Sequence, residues 1–471
     1  MADSRVSKDS MGEVRVPEQA HWGASTQRAL ENFTISGQHF DPRLIRALGL
    51  VKRAAARTNK DLGLLPEKLE QAITQAATEI VSGKLDDQFL LDVYQTGSGT
   101  STNMNANEVL ASRANEILGH PRGSREPIHP NDHVNMCQSS NDVIPTAIHV
   151  ATATAIQEDL VPSLKRLAKA LEDKGHRFDG VVKLGRTHLQ DATPIRLGQE
   201  FAGWAQQARH GAVRAEMARD GLLELALGGT AVGTGVNAHP EFAKKAIGRL
   251  AEDSGLAFRV STNAFEAQGA RDAVVDASGR LNTIACSLMK IANDLRWLSS
   301  GPRGGLGEIR LPELQPGSSI MPGKVNPVIP EAVAMACARV MGNHVTITIG
   351  AQSGNFELNV MMPVMAQALL ESITLLAGSC DSLRKRCVDG IEVDEKRCAE
   401  LVEKSLAMAT ALVPVIGYDA AAAIAKTAWE EDRSVREVVE ESGSLPKADV
   451  ARLLDPMRMT EPGLPELPTR R

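Results

Sequence analysis

Apolar residues recur along most of this chain at the three- and four-residue spacing that places them on one face of an α-helix. The clearest example begins at Val274 and ends at Leu298, with steps that alternate between three and four residues. It predicts a helix over residues 272–298, about 40 Å long at 1.5 Å per residue. Because the apolar face of so long a helix is continuous, we expect that face to pack against helices of other copies of the chain.

The same spacing predicts further helices on both sides of that segment. They cover residues 42–62, 66–82, 194–227, 330–350, 420–429 and 435–441. Another helix is predicted around Ile156 to Leu171, and Pro162 is expected to kink it without ending it. No alternation of apolar and polar residues persists in the first hundred residues, so no strand is expected there. The pattern therefore predicts an all-α fold.

The lengths of the predicted helices divide the chain into three parts. Shorter helical patterns come first, long alanine-rich patterns occupy the middle, and short helices follow Cys398. We therefore predict an N-terminal helical domain at 1–137, a central long-helix bundle at 138–395 and a small C-terminal helical domain at 396–471.

Composition narrows the classes of protein that this fold can serve. The 471 residues include 9 Phe, 2 Tyr and 4 Trp, so the core must consist mainly of aliphatic side chains, which suits closely packed helices. The formal net charge of −6 argues against a nucleic-acid partner.

Sequence signals for metals, cofactors and membranes are missing. Six cysteines show neither C-x-x-C spacing nor a cluster with histidine, so we expect no bound metal. The sequence lacks the motifs of nucleotide-binding loops, nicotinamide enzymes, serine esterases and zinc proteases, and we expect no cofactor. No secretory signal and no run of about 18 apolar residues is present, which predicts a cytoplasmic protein with no membrane partner.

Three polar segments interrupt the helical pattern and are candidates for chemistry. Residues 97–108 place hydroxyl and amide groups just before a helix, and residues 139–142 repeat that arrangement. Residues 185–191 bring a histidine beside hydroxyl, guanidinium and carboxylate groups. Each segment alone also fits a structural interpretation, such as helix capping by residues 139–142 or a histidine with no catalytic role.

A fourth segment carries a more specific pattern. Residues 317–327 read GSSIMPGKVNP, with two hydroxyls on a glycine hinge, Lys324 six residues after Ser318, and Asn326 two residues later. Such a loop can close over a carboxylate, because Lys324 supplies a positive charge and Asn326 supplies an amide donor. The backbone N–H groups of the Gly-Ser segment can hold charge that develops on a substrate oxygen.

With these residues identified, the chain resembles a class II fumarase, from the metal-independent branch of the fumarase/aspartase superfamily. The loop 317–327 resembles the superfamily signature, and other segments resemble the remaining motifs of the family in the expected order. Those segments are TGSGTSTNMNANEV, HPNDHVNMCQSSND, KLGRTHLQDATP, LGGTAVGTG and GNFELNV. The resemblance extends from about Met11 to Met459. It implies an all-helical fold of three domains and a homotetramer that shares the central bundle, with each active site formed by loops from three subunits.

The resemblance also implies the reversible hydration of fumarate, a small dicarboxylate, to L-malate through an aci-carboxylate intermediate. In this interpretation Ser318 is the base, and Lys324 and Asn326 hold the substrate carboxylate. His188 orients the water and transfers the second proton, with Glu331 as its carboxylate partner. The resemblance assigns the remaining substrate contacts to Ser98, Thr100, Ser139, Ser140, Asn141 and Thr187.

The resemblance further implies a second carboxylate site near His129, Asn131 and Asp132. Arg125 lies close to the basic residue of the family at this site but is offset by one position. His133 stands where the family usually has an acidic residue.

Two other functions remain open at this point. One is aspartate ammonia-lyase, which removes ammonia with the same loop; residues 132–134 and 327–331 resemble aspartases, whereas Gly229, Ser140 and the Asn355-Phe356 pair resemble fumarases. Argininosuccinate and adenylosuccinate lyases share the signature loop but lack the TGSGTSTNMNANE segment.

The second function that remains open is that of a catalytically silent structural relative. Such a protein is expected to have lost at least one of the catalytic residues, and the sequence retains Ser318, Lys324, His188 and Asn141.

Overall fold

The computed structural model describes residues 4–464, and most of this part of the chain is helical. It contains seventeen α-helices. They are α1 (Ala24–Asn32), α2 (Pro42–Asp61), α3 (Glu67–Val81), α4 (Thr100–Ile117), α5 (Ser140–Ala155), α6 (Val161–Arg177), α7 (Leu197–Gly221), α8 (Phe242–Ser254), α9 (Ala264–Gly269), α10 (Asp272–Leu298), α11 (Val328–Gln352), α12 (Met362–Arg386), α13 (Glu395–Lys404), α14 (Val413–Ile416), α15 (Tyr418–Glu430), α16 (Val435–Ser442) and α17 (Lys447–Leu453). The predicted all-α class is confirmed.

Short strands accompany the helices and pair two by two within the described residues. Two antiparallel hairpins are formed by β1 (Ser4–Asp9) with β2 (Gly12–Pro17) and by β3 (Val182–Thr187) with β4 (Gln190–Arg196). The remaining pairs have two residues per strand: β5 (Glu224–Leu225) with β6 (Arg259–Val260), and β7 (Ile309–Arg310) with β8 (Glu392–Val393).

Most predicted helices agree with the structure to within about two residues. The long helix α10 has the predicted bounds, and α2 begins at Pro42 because the side chain of Asp41 accepts a hydrogen bond from the N–H of Arg43. Pro162 lies inside a helical stretch that continues past it, as predicted. A π-helical turn at Ile156–Leu160 joins α5 to α6 just before this proline.

Two expectations about strands and helix starts are wrong. The hairpin β1–β2 lies within the first hundred residues, where no strand was expected. Its outward-facing residues include Val6, which is 57% exposed, and the inward-facing residues of β1 are the half-buried Arg5, Ser7 and Asp9. The helix predicted from Pro194 begins at Leu197 instead, because residues up to Arg196 pair with β3. Pro194 is tolerated in β4 because both strands of a two-stranded sheet are edge strands. An edge strand has one side with no neighbouring strand, so an N–H group is not needed at every residue.

The chain forms two compact units. The first consists of the residues up to Pro162, Ala212–Cys286 and Ala336–Ala377. In it α2 packs against α3, α5 and α8. The second consists of Ser163–Gly211, Ser287–Met335 and the residues from Gly378 onward. There the short C-terminal helices enclose an apolar cluster that includes Leu184, Leu412 and Val439. The division into segments 1–137, 138–395 and 396–471 stays a prediction.

The apolar face of α10 does not behave as expected. Every residue of the pattern from Val274 to Leu298 is at most 4% exposed within the single chain. The expectation that this face packs against other copies is therefore wrong, because the same chain already covers it. Exposed apolar residues lie elsewhere on the long helices. They are Val213, Met217, Trp297, Met335, Val345 and Ile349.

Two helical stretches have the length and mean hydropathy of a bilayer span, Val328–Gln352 and Met362–Gly390. In the most apolar part of each stretch, 61% of the second is buried within the chain but only 28% of the first. A core helix or a subunit-interface helix of a water-soluble protein meets the same criterion.

Burial of His149 predicts a pH-dependent contribution to stability. Its Nδ1 lies 2.8 Å from the carbonyl oxygen of Glu224, and burial, followed by the charge of Arg271, lowers the pKa of His149 to about 4. The unfolded chain takes up this proton near pH 6.5, so the stabilisation is complete above that pH and is lost as the pH falls toward 4. We expect His149→Gln to reduce the acid-induced loss of unfolding free energy by about 3 kcal/mol, measured by urea unfolding at pH 7 and pH 4.5.

The matched control is His120→Gln, because His120 is exposed. This control should show the same pH dependence as the wild type. An unchanged pH dependence in His149→Gln would contradict the assignment.

Candidate active site

The start of α4 carries Ser98 and Thr100. Gly99 precedes the helix with a φ of +72°, which glycine adopts without the steric cost that a side chain brings. The hydroxyls of Ser98 and Thr100 lie 2.8 Å apart and share a hydrogen bond. The carbonyl of Gly97 accepts a hydrogen bond from the N–H of Met362 over 3.0 Å. These contacts hold the two predicted substrate-binding hydroxyls side by side.

The start of α5 carries Ser139, Ser140 and Asn141. Ser139 caps the helix by accepting a hydrogen bond from the N–H of Asn141, and the Asp142 carboxylate accepts one from the N–H of Ser139. The Nδ2 of Asn141 donates to the carbonyl of Ala231 over 2.8 Å. The capping interpretation of this segment is therefore confirmed. It is compatible with ligand binding, since capping uses Ser139 and Asp142 and leaves the Ser140 hydroxyl to other partners.

Asp142 also connects α5 to the glycine-rich segment that follows β5. Its Oδ2 accepts hydrogen bonds from the N–H groups of Gly228 and Thr230, both over 2.9 Å. The carboxylate is completely buried, and burial raises the pKa of Asp142 to about 6 even though N–H donors surround it. One side chain therefore fixes both the cap of α5 and the turn beside Ala231.

Lys52 lies behind these residues and was missed by the sequence analysis. It is completely buried in α2, and its ammonium donates to Oδ1 of Asn135 and to Oε1 of Gln138, both over 2.9 Å. Burial lowers the pKa of Lys52 to about 7. The burial of Lys52 could have been predicted from its position, because Lys52 occupies the same helix face as the buried residues Val51 and Ala55.

His129, Asn131 and Asp132 lie together in one turn. The Nδ1 of His129 accepts hydrogen bonds from the N–H groups of Asn131 over 3.3 Å and Asp132 over 3.2 Å. Its Nε2 contacts the guanidinium of Arg125, and burial, followed by this charge, lowers the pKa of His129. The Nδ1 of His133 accepts from the N–H of His129 over 2.8 Å. Arg125 and His133 therefore belong to this cluster, although neither matched the family pattern.

A cavity of about 370 Å³ adjoins the His129 cluster. Arg125 and Asn131 line it together with Lys8, Ser10 and Ser124. The carboxylates of Asp9 and Glu108 line the same cavity, so of its groups the cationic, amide and hydroxyl ones are those suited to a small anion.

The loop of residues 317–326 is closed by its own hydrogen bonds. The N–H of Gly317 donates to the carbonyl of Lys324 over 2.8 Å, and Nδ2 of Asn326 donates to the carbonyl of Gly317 over 2.7 Å. A Cβ atom at Gly317 would lie 2.5 Å from the Lys324 carbonyl oxygen, so the closed loop requires glycine at this position. The side chain of Lys324 is exposed beside it.

The hydroxyl of Ser318 lies within this closed loop. Its Oγ accepts hydrogen bonds from the N–H groups of Ile320 over 3.2 Å and Met321 over 3.0 Å. Two donors aimed at one oxygen favour negative charge on that oxygen. The loop therefore holds the Ser318 hydroxyl against two backbone N–H donors in the same segment as Lys324.

His188 and Thr187 lie at the tip of the hairpin formed by β3 and β4. Thr187 pairs with Gln190, so His188 and Leu189 form a two-residue turn. Their φ angles are 57° and 58°, values for which such turns normally use asparagine or glycine. Each side chain in this conformation costs about 1 kcal/mol, so the backbone is strained at the candidate catalytic residue.

Strand β3 of the same hairpin is held by a buried ionic network that the sequence analysis missed. The guanidinium of Arg186 makes two hydrogen bonds to the completely buried carboxylate of Glu308, over 2.8 and 3.1 Å. The ammonium of Lys183 lies 3.6 Å from the same carboxylate and 3.4 Å from that of Glu200. The single charged residue inside the otherwise apolar stretch Val181–Leu184, Lys183, was the available signal.

Glu331 lies in the first turn of α11 and is partly buried. In the part of the chain that the structure describes, no hydrogen bond or ion pair joins Glu331 to His188. Their predicted pairing is not made within one chain and stays a prediction.

Within residues 4–464, no three His, Cys, Asp or Glu side chains are grouped as a metal site requires.

Two family profiles match this chain. The profile described as lyase matches residues 12–342, and the profile described as fumarase C C-terminus matches residues 408–461. The first match covers most of the chain. The helical fold and the polar loops described above are therefore those of a lyase.

Individual relatives narrow this class. A protein of Neisseria meningitidis named fumarate hydratase class II is 54% identical over 460 residues, which is 98% of this chain and 100% of the relative. A protein of Halobacterium salinarum with the same name is 55% identical over 98% of each chain. The crystal structure of recombinant class II fumarase from Schistosoma mansoni has a TM-score of 0.95 and 39% identity, and the match covers 97% of this chain and 99% of that one. The chain belongs to the class II fumarate hydratase family.

The close approach at Gly97 gives a prediction about stability. A Cβ atom there would lie 1.8 Å from the carbonyl oxygen of Val360, so Gly97→Ala must displace the backbone. We expect it to lower the free energy of unfolding by about 2 kcal/mol or more, measured by urea denaturation.

The control is Gly248→Ala in α8, where a Cβ atom meets nothing within 4 Å. This substitution should leave stability unchanged or raise it by about 0.5–1 kcal/mol. If the two substitutions changed the free energy of unfolding equally, the close approach at Gly97 would not be what makes alanine unfavourable there.

Proposed function

We propose that this protein catalyses the reversible hydration of fumarate to L-malate and that it does so without a metal ion. The closed loop of residues 317–326 carries the proposal, because it holds Ser318 Oγ against two N–H donors on the same loop as Lys324. Removal of a proton next to a carboxylate requires a base and a carboxylate-binding cation close together. Relatives over half identical along the full chain carry the name of this activity.

In the dehydration direction, Ser318 removes the proton from the carbon next to a substrate carboxylate. The electron pair of the broken C–H bond moves into that carboxylate, which becomes an aci-carboxylate with a second negative charge. Lys324 and Asn326 bind this group and stabilise the added charge. The N–H donors at Ser318 favour the anionic oxygen that acts as the base.

Loss of the substrate hydroxyl completes the reaction. The electron pair returns from the aci-carboxylate to form the carbon–carbon double bond while the C–O bond on the opposite face breaks. The departing hydroxide takes a proton from His188 and leaves as water, and in the hydration direction the same imidazole deprotonates the attacking water. Glu331 serves as the partner that orients the imidazole.

The remaining predicted residues bind the substrate. Hydroxyl and amide groups are suited to this role because they donate to carboxylate oxygens. They are Ser98, Thr100, Ser139, Ser140, Asn141 and Thr187. The cluster of His129, Asn131 and Asp132, with Arg125, forms a second carboxylate site beside its cavity.

The active form is a cytoplasmic homotetramer whose ligands are small dicarboxylates, with no nucleic-acid or membrane partner. The support for assembly is α11, where Met335, Val345 and Ile349 are 69%, 57% and 49% exposed in the single chain. Such a face is unstable in water unless another copy covers it. The loops around Asn141, His188 and Ser318 then meet where several copies assemble.

The first test compares the wild type with Ser318→Ala. After treatment with a chelator, the wild type should form fumarate from L-malate and should be nearly inert toward L-aspartate. Ser318→Ala removes the base but keeps Lys324 and Asn326, so turnover should fall about 10²–10³-fold while a competitive dicarboxylate still binds. Absorbance of the conjugated double bond measures turnover, and calorimetry measures binding.

Each opposite result has a definite meaning. Faster conversion of L-aspartate than of L-malate would establish the ammonia-lyase alternative. Activity lost on chelation and restored by a divalent metal would overturn the metal-free mechanism. If Ser318→Ala stayed close to wild type, His188 would become the candidate base.

The second test concerns assembly. Met335→Asp together with Val345→Asp places two charges on the exposed face of α11, and burying them between subunits is unfavourable. The wild type should have a mass of four times 50.4 kDa by light scattering, and the double variant should dissociate and lose activity.

Trp429→Asp is the control, since Trp429 is 73% exposed but lies on the short helix α15. This variant should remain assembled and active. A fully active wild-type monomer would refute the proposed assembly.

A further inference from the structure

A chain of hydrogen bonds leads from Lys52 to Ser140. The ammonium of Lys52 donates to Oδ1 of Asn135 over 2.9 Å. The same oxygen accepts a second hydrogen bond from Nδ2 of Asn103 over 3.2 Å, and this Nδ2 also donates to Oγ of Ser140 over 3.0 Å. Lys52 and Asn103 are buried, and Asn135 and Ser140 are partly buried.

The direction of each hydrogen bond in this chain is set by Lys52 together with the carbonyl of Gln138, which accepts a hydrogen bond from Nδ2 of Asn135 over 3.2 Å. In its protonated form Lys52 can donate but cannot accept, so it requires an oxygen from Asn135. That oxygen in turn requires a donor from Asn103, which can only be the NH2 of its amide. The Oδ1 of Asn103 has no hydrogen-bond partner among the described residues. The amide nevertheless keeps this orientation, because the reversed one would bring two acceptor oxygens together.

We infer that Lys52 is a positioning residue for the substrate pocket: through Asn135 and Asn103 it directs the hydroxyl hydrogen of Ser140 toward the bound carboxylate. Because Ser140 Oγ already accepts from Asn103, its own hydrogen is not used in that contact and is available to a ligand. A carboxylate needs donors, and a serine held in this way always presents one. The inference rests on the proposed function, in which Ser140 binds the substrate.

The surroundings of Lys52 support this role. The ammonium also donates to Oε1 of Gln138, whose own amide donates to the carbonyls of Val134 and Met136. The turn that carries Asn135 is therefore held at two points. The negative charge of Asp142 partly offsets the burial of the Lys52 charge. A buried lysine is costly unless its charge and its hydrogen bonds are compensated, and here two acceptor oxygens and the charge of Asp142 supply part of that compensation.

The decisive variant is Lys52→Met, which keeps the length of the side chain but removes the donors. Asn135 then loses the cation that requires its oxygen and keeps only the weaker constraint of the Gln138 carbonyl. The amides of Asn135 and Asn103 turn over more readily as a result, and Ser140 presents its hydrogen less often. Ser140 contacts the substrate in the ground state and the transition state alike, so KM for L-malate should rise about tenfold with kcat changed less than about threefold. Binding of succinate, measured by calorimetry, should weaken by the same factor.

A double-mutant cycle shows whether Lys52 acts through Ser140. Ser140→Ala alone should raise KM by a similar factor, and adding Lys52→Met to it should have little further effect. Asn103→Asp is a second, independent variant: its carboxylate would accept the Ser140 hydrogen and draw it away from the pocket. It should raise KM at least as much, and it decides the question if Lys52→Met does not fold.

Lys174→Met is the matched control. Lys174 is also buried and donates to a backbone carbonyl, that of Ile391, over 2.9 Å, but none of the candidate site residues is among its partners. Its KM should equal that of the wild type. An unchanged KM in Lys52→Met, or effects of Lys52→Met and Ser140→Ala that simply add, would overturn the inference. A wild-type protein with no activity on L-malate or fumarate would instead refute the proposed function.

Discussion

The buried carboxylate of Asp142 must keep its hydrogen-bond donors, and the geometry of the first compact unit around the candidate site follows from that requirement. Removing an ionised carboxylate from water costs several kcal/mol unless protein donors replace the lost hydration. The donors are backbone N–H groups of Ser139, Gly228 and Thr230, which belong to two separate segments. Both segments must therefore meet at one point, and the polar residues at the start of α5 are positioned as a result.

The sequence predicts well those elements whose pattern is local. The bounds of α10 agree with the apolar spacing because each residue of the face is specified by neighbours three or four positions away. The same pattern shows that a face is apolar but not which helix covers it, and for this reason the partner of the α10 face was assigned wrongly. The hairpin β1–β2 was missed because the inward-facing residues of β1 are polar and Val6 faces outward, so only the short stretch Glu13–Val16 of β2 alternates as a half-buried strand should. The start of α7 was misplaced because Pro194 is equally suited to a helix start and to an edge strand.

In the candidate site, too, residues within short motifs could be predicted from the sequence, whereas residues that depend on distant partners could not. Ser318, Lys324, Asn326 and His188 could be named from short motifs, since the residues of each motif are close in sequence. Lys52 and Glu308 could not, because their partners lie 83 and 122 residues away along the chain. A charged residue within an apolar pattern is usually interpreted as an exposed exception. Here both are completely buried, and both hold a segment that carries a candidate site residue.

The turn at His188 and Leu189 has a consequence for protein engineering. Asparagine and glycine would relieve the strain of two positive φ angles, so methods that choose residues for stability alone will favour them at these positions. Replacing the first removes the imidazole, and replacing the second gives the backbone more freedom at the point where the imidazole must be held in place. Under the proposed mechanism, in which His188 transfers a proton, thermal robustness and turnover therefore demand different residues at the hairpin tip, and stabilised versions of this protein should leave it untouched.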